Sequence, residues 1–151
     1  MKKITLLFLA VGFAFLSGCS KDDSSTKLSS KVYQLRYVDD PSLLGKVTFT
    51  ENSDGSTTVF LELNGTSDDV HPAYIYNNSV AQGGPIAITL NPIDCDCEDS
   101  TTLVSKLDNG TAISFEQLLT FNGHIKVHQS SSQMETILLQ GNIGSNGNNI
   151  Y

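Results

Sequence analysis

Tryptophan is absent from this 151-residue chain, and aromatic residues make up only 8% of it. Positive charge is scarce as well: nine Lys and Arg stand against sixteen Asp and Glu, for a net charge of −7. Nucleic-acid binding rests on clustered cations that neutralise phosphates, so this balance argues against such a partner. The familiar catalytic signatures are missing: there is no G-x-S-x-G, no P-loop and no H-E-x-x-H. Nothing points to a nucleotide cofactor, and no internal repeat is visible. The chain is long enough for one ordinary domain and too short for two comfortable ones.

What is present begins with an address. Residues 1–18 open on Lys2 and Lys3, continue through an apolar run at 4–16 and end in Ser17 and Gly18 before Cys19. That layout is a secretory leader. The apolar run is shorter than the roughly 20 residues a spanning helix needs. Leu16-Ser17-Gly18-Cys19 resembles the lipobox of bacterial lipoproteins, in which the cysteine is lipidated and becomes the mature N-terminus. The resemblance implies that the protein is anchored to a membrane through Cys19 and does not span it, since more than one acyl chain holds a protein firmly. Ser20-Lys21-Asp22-Asp23 resembles the acidic export signal that sends some such lipoproteins to the outer face of the outer membrane; a solvated linker is the other reading. Without residues 1–18 the chain loses two lysines and carries about −9, which disfavours direct adsorption to an anionic bilayer. Residues 19–30 form a Ser-rich tether without periodicity, and the domain starts near Lys31 and runs to the end of the chain, 31–151.

Within the domain the hydrophobic period is two. Thr57, Val59, Leu61 and Leu63 alternate with Thr58, Phe60 and Glu62, and Ile86, Ile88 and Leu90 alternate with Ala87 and Thr89, the pattern of strands with one buried face. Further strands are expected at 32–38, 45–50, 101–107, 124–128 and 135–143, and a short run at 71–76 is expected between the 57–63 and 85–90 strands. Asp54-Gly55 between two alternating runs marks a hairpin turn. Ser114 followed three residues later by Gln117 is a capping box, opening a helix of about two turns. The expected fold is all-β: an antiparallel Greek-key sandwich or barrel of about seven or eight strands with one short helix.

The order of these segments resembles the CHRD domain, named after chordin and found also in bacterial secreted proteins. The likeness covers roughly residues 31–144 and is best at 71–79 (HPAYIYNNS), 84–90 (GPIAITL) and 125–128 (IKVH). It implies a fold similar to that of copper/zinc superoxide dismutase. The family pattern at the first piece is A-H-I-H, which sets two imidazoles on one strand face about 7 Å apart, where they can converge on copper or zinc. Here Tyr74 and Tyr76 stand at those positions. Phenol titrates near pH 10 and is a poor ligand at neutral pH. His128 matches the family's late V-H, so a degenerate site of His71, His128 and a carboxylate is the remaining metal reading. The bland alternative is that Tyr74 and Tyr76 are paired strand aromatics that bond through their hydroxyls. His124 reads as a solvated strand residue.

Asp94-Cys95-Asp96-Cys97-Glu98-Asp99 is the other constellation. In an oxidising envelope a Cys95–Cys97 disulfide is one reading, closing a small and bent loop that is easily reduced. Free or externally paired thiols are a second, and a metal held by thiolates and carboxylates a third. The run lacks the Gly and Glu of an EF-hand loop. Taken together, the expectation is an outer-membrane lipoprotein, at the cell surface or on the periplasmic face, with a non-catalytic CHRD-like module, no resident cofactor, and a protein or glycan ligand at the loops 67–71 and 91–100. The alternative is a metal-binding or superoxide dismutase-like protein using copper or zinc.

Overall fold

Asp54 accepts hydrogen bonds from the backbone and hydroxyl of Ser56, while Gly55 takes φ +82°, a conformation that costs an L side chain strain and glycine almost nothing. This turn joins β2 (Leu44–Glu51) to β3 (Thr57–Glu62) in register from Lys46↔Glu62 to Glu51↔Thr57. The computed structural model describes residues 28–64, 69–94 and 98–147. The leader, Cys19, most of the tether, Cys95, Cys97 and loop residues 65–68 lie outside the described residues.

The other strands are β1 (Ser30–Tyr37), β4 (Ala73–Asn77), β5 (Ile86–Thr89), β6 (Asp99–Val104), β7 (Asn122–His128) and β8 (Ile137–Gly144). All pairings are antiparallel, in one sheet of order β5-β4-β7-β8-β1-β2-β3-β6. The period-two expectation holds: Leu35, Val47, Phe49, Leu61, Ile75, Ile125, Val127 and Leu139 point to one interior and are fully buried. A fully buried aliphatic or Phe side chain contributes about 1.5–3 kcal/mol, so this interior drives the sheet to curl on itself.

The two edge strands meet through side chains. The Asn91 N–H donates to Thr102 Oγ1 at 2.8 Å, its amide to Thr101 O at 2.7 Å, and Ser100 Oγ donates to Asn91 O. Lower down, the Asp108 carboxylate accepts from the Thr89 N–H and hydroxyl, and the Asp108 N–H donates to Ala87 O. With that seam counted, β3-β6-β5-β4 lie side by side in Greek-key order. The architecture is therefore a curled, barrel-like sheet, the all-β form expected.

The capping box at Ser114 is formed in both directions, and helix α1 (Phe115–Thr120) follows it. Phe115 and Leu118 add to the core from this helix. Gly144 has φ +59°, and a Cβ there would collide with the Phe121 backbone just beyond the helix. Strand ends differ by up to three residues from the sequence pattern. The largest shift is at β6, which begins at Asp99 inside the expected acidic loop and ends at Val104.

Candidate functional site

The segment containing Tyr74 and Tyr76 is flanked by β5 and β7, whereas β3, its predecessor in the chain, lies at the far side of the sheet order. Residues 73–77 pair with β7 in the register Ala73↔Val127, Tyr74↔Lys126, Ile75↔Ile125, Tyr76↔His124. Ala73, Ile75, Ile125 and Val127 take the inner face. Tyr74, Tyr76, His124, Lys126 and His128 therefore share the outer face.

That outer face is covered in part: His124 and His128 are buried, while Tyr74, Tyr76 and Lys126 stay partly exposed. Asn78, at φ 66°, turns the chain after β4 so that its carbonyl accepts from His124 Nδ1 at 2.7 Å. The Val80 N–H then donates to the Asn142 side chain on β8, closing the 78–80 segment over the strand pair. His124 ends up 0% exposed, with Tyr76 stacked on it at 5.2 Å and an interplanar angle of 16°. The expectation of a solvated His124 is corrected by this closure: alternation gave its face, but not the turn that covers it. Its Nε2 is buried without a hydrogen-bond partner among the described residues.

His128, 4% exposed, makes two bonds. Its Nδ1 is 2.5 Å from Met134 O and its Nε2 is 2.8 Å from the Tyr76 hydroxyl. A carbonyl can only accept, so Nδ1 carries the proton and Nε2 accepts from the phenol. Burial pushes both His124 and His128 below the usual imidazole range, with Lys126 adding to the effect and the bonded carbonyls opposing it. Burial pushes the Tyr76 phenol up, helped by Tyr74 and Glu135. The proton between Tyr76 and His128 thus belongs to the phenol, and the pair is a fixed hydrogen bond rather than an activated nucleophile. Tyr74 packs edge-on against both Tyr76 and His128, and Lys126 Nζ sits 5.2 Å from the Tyr76 ring centroid.

His71 lies elsewhere. It pairs with Ile93 beyond the end of β4, keeps the inward alternation of Ala73 and Ile75, and is 1% exposed. Its Nδ1 donates to Gln129 O at 2.7 Å and to His128 O at 3.2 Å, tying the end of β7 to the segment before β4. The two histidines of the degenerate metal reading therefore touch through a backbone carbonyl while their rings serve opposite faces of the sheet. Among the described residues no three His, Cys, Asp or Glu side chains converge as a metal site would require. Both His128 nitrogens are engaged, Nε2 by the Tyr76 hydroxyl and Nδ1 by Met134 O, whereas His71 Nε2 has no partner among the described residues.

Of the loops expected to carry contacts, Ser67, Asp68, Cys95 and Cys97 lie outside the described residues, and Asp99 and Ser100 belong to β6. Sequence reasoning missed a second feature of the outer face. A cleft of about 390 Å³ is lined by Gln34 and Arg36 of β1, Gln140 and Asn142 of β8, and Val80 and Pro41. Arg36 and Gln140 are 104 positions apart in the chain (140 − 36), and only the β1–β8 pairing brings them together.

Comparison of the chain with protein-family models, with curated proteins and with solved structures finds no match.

Proposed function

We propose that the chain is a cell-envelope lipoprotein whose barrel-like domain is a non-catalytic binding module of CHRD type, carried to the outer membrane by lipid on Cys19. The observation that supports this reading is the Tyr76–His128 hydrogen bond at 2.8 Å. At the positions where the resembled family places imidazoles, this chain has phenols, and one of them consumes the nitrogen that a metal would need. The anchor rests on the leader and lipobox; no helix among the described residues is long and apolar enough to cross a membrane.

A second reading, a metal-handling or superoxide dismutase-like protein, draws on the buried and unpartnered Nε2 atoms of His71 and His124. Elemental analysis of the mature protein after loading with copper and zinc and removal of free ions separates the two. The binding-module reading expects no retained metal and no dismutase activity. Stoichiometric metal that is lost in His71→Ala, His124→Ala or His128→Ala would overturn it. For the anchor, a Cys19→Ser variant is expected to lose label from a radioactive fatty acid and to leave the membrane fraction; retention of both would contradict the assignment.

A further inference from the structure

The cleft on the outer face differs in charge from the chain that builds it. Asp and Glu outnumber Lys and Arg by sixteen to nine, yet none lines the cleft, and Arg36 does. The Arg36 guanidinium has five N–H donors, of which one bonds to Pro41 O at 3.3 Å. In the ladder Arg36 pairs with Gln140, Gln140 with Lys126, and Lys126 with Tyr74. This row crosses four strands, a span of about 14 Å at the usual strand spacing. Neither Arg36 nor Lys126 has a carboxylate within ion-pair reach among the described residues; Lys46, across from Gln34 on β2, is paired with Glu62. Glu135, whose charge acts on Tyr76 and His128, belongs to the loop before β8 and not to the cleft lining.

We propose that this row and its cleft bind an acidic oligosaccharide, with Arg36 and Lys126 meeting carboxylates on neighbouring sugars. The proposal rests on the binding-module reading and moves its contact surface from the loops to the sheet face. Three features select a sugar over a peptide. Gln34 and Gln140 offer amides that both donate and accept, and Asn142, its Oδ1 held by the Val80 N–H, offers its NH2 group, together matching hydroxyl groups that do both. Tyr74, half-buried at the end of the row, offers an aromatic edge and a hydroxyl without a hydrogen-bond partner among the described residues. The strands beneath the cleft already pair on both sides, so an extended peptide finds no free edge to join. At 390 Å³ the cleft lies near the lower end of ligand sites, which run from about 300 to 1,000 Å³.

The test uses the mature protein in EDTA, so that its outcome is separate from the metal assay that decides the binding-module reading. The probe is hexagalacturonate, with its methyl-esterified neutral form and poly-L-glutamate as comparisons, read by calorimetry and by backbone amide shifts. Saturable binding of hexagalacturonate is expected, weakened by salt, with shifts centred on Gln34, Arg36, Lys126, Gln140 and Asn142. Arg36→Ala and Lys126→Ala, both at exposed or half-exposed positions, are each expected to weaken it about tenfold, the size of a lost charge-assisted hydrogen bond. Lys106→Ala, beyond β6 and off the row, should leave it unchanged. The inference is overturned by absence of saturable binding, by shifts that map elsewhere, by either variant binding as tightly as the unmutated protein, or by equal affinity for the ester or for polyglutamate. Circular dichroism confirms the fold of each variant, and the shift map of the unmutated protein decides the location independently.

Discussion

Ile75 and Ile125 oppose each other on one face of the β4–β7 pair, and Tyr76 and His124 oppose each other on the other. Ile125 and His124 are both 0% exposed, so each face is dry at one member of the pair, although Tyr76 on the outer face stays partly exposed. They are dry for different reasons. The inner face is covered by the rest of the barrel, through aliphatic contacts that carry no directional demand. The outer face is covered by its own connections, residues 78–80 and 129–136, and these are held by hydrogen bonds to Asn78 O, Met134 O and Asn142 Oδ1. One face is closed by bulk and the other by direction. The second kind of closure leaves polar atoms buried, each of which must be bonded or borne at a cost.

The largest effect that probes the difference comes from the inner face. Ile125→Ala is expected to lower unfolding free energy by about 2–5 kcal/mol in urea titration, as a transfer loss plus a cavity. A loss under 1 kcal/mol would mean that the inner face is not the cohesive one. His128→Ala should cost less, about 1–3 kcal/mol, because it strands the Met134 carbonyl and the Tyr76 hydroxyl without opening the core. Tyr76→Phe removes only one side of one bond and is expected to cost about 1 kcal/mol. If Tyr76→Phe proved as damaging as Ile125→Ala, the distinction between the faces would fail.

The outer face should also impose a pH dependence that the inner face cannot. His124 and His128 are held below the usual imidazole value of 6.5 in the folded chain, so the unfolded chain binds more protons as pH falls. Their contribution is fully present above about pH 6.5 and is lost as pH drops through the lower folded values. Urea midpoints measured between pH 7.5 and 4.5 should decline across that window, and the decline should shrink in a His124→Gln, His128→Gln double variant. An unchanged slope in the double variant would assign the decline to carboxylates. Ser114→Ala is expected to cost about 1 kcal/mol, as little as Tyr76→Phe, from loss of the helix cap, with the pH slope untouched because α1 takes no part in the outer face.

Much of the fold could be read from local pattern because local physics decides it. The turn at Asp54 and Gly55, the capping box at Ser114 and Gln117, and the alternation through β3 each need only residues within a few positions. The same pattern correctly put Tyr74 and Tyr76 together on one strand face, with His124, Lys126 and His128 sharing a face of β7. It could not show that His124 is buried, because the carbonyl that covers it is 46 positions away. Nor could it show that His71 and His128 serve opposite faces, since that depends on how the segment before β4 meets the end of β7. The seam between β5 and β6 is a third case. It is closed by Asn91, Thr102 and Asp108, polar residues in stretches with the composition of ordinary loops and strands.

The claim on which the functional reading depends is that the His128 Nε2 lone pair is engaged by the Tyr76 hydroxyl. Nitrogen-15 spectra of the imidazoles, recorded at pH 7 with and without one equivalent of zinc, address it directly. The account predicts a neutral His128 ring with the proton on Nδ1, and signals from His71 and His128 that zinc leaves in place. A His128 ring protonated on Nε2, or a joint zinc-dependent shift of His71 and His128, would contradict it.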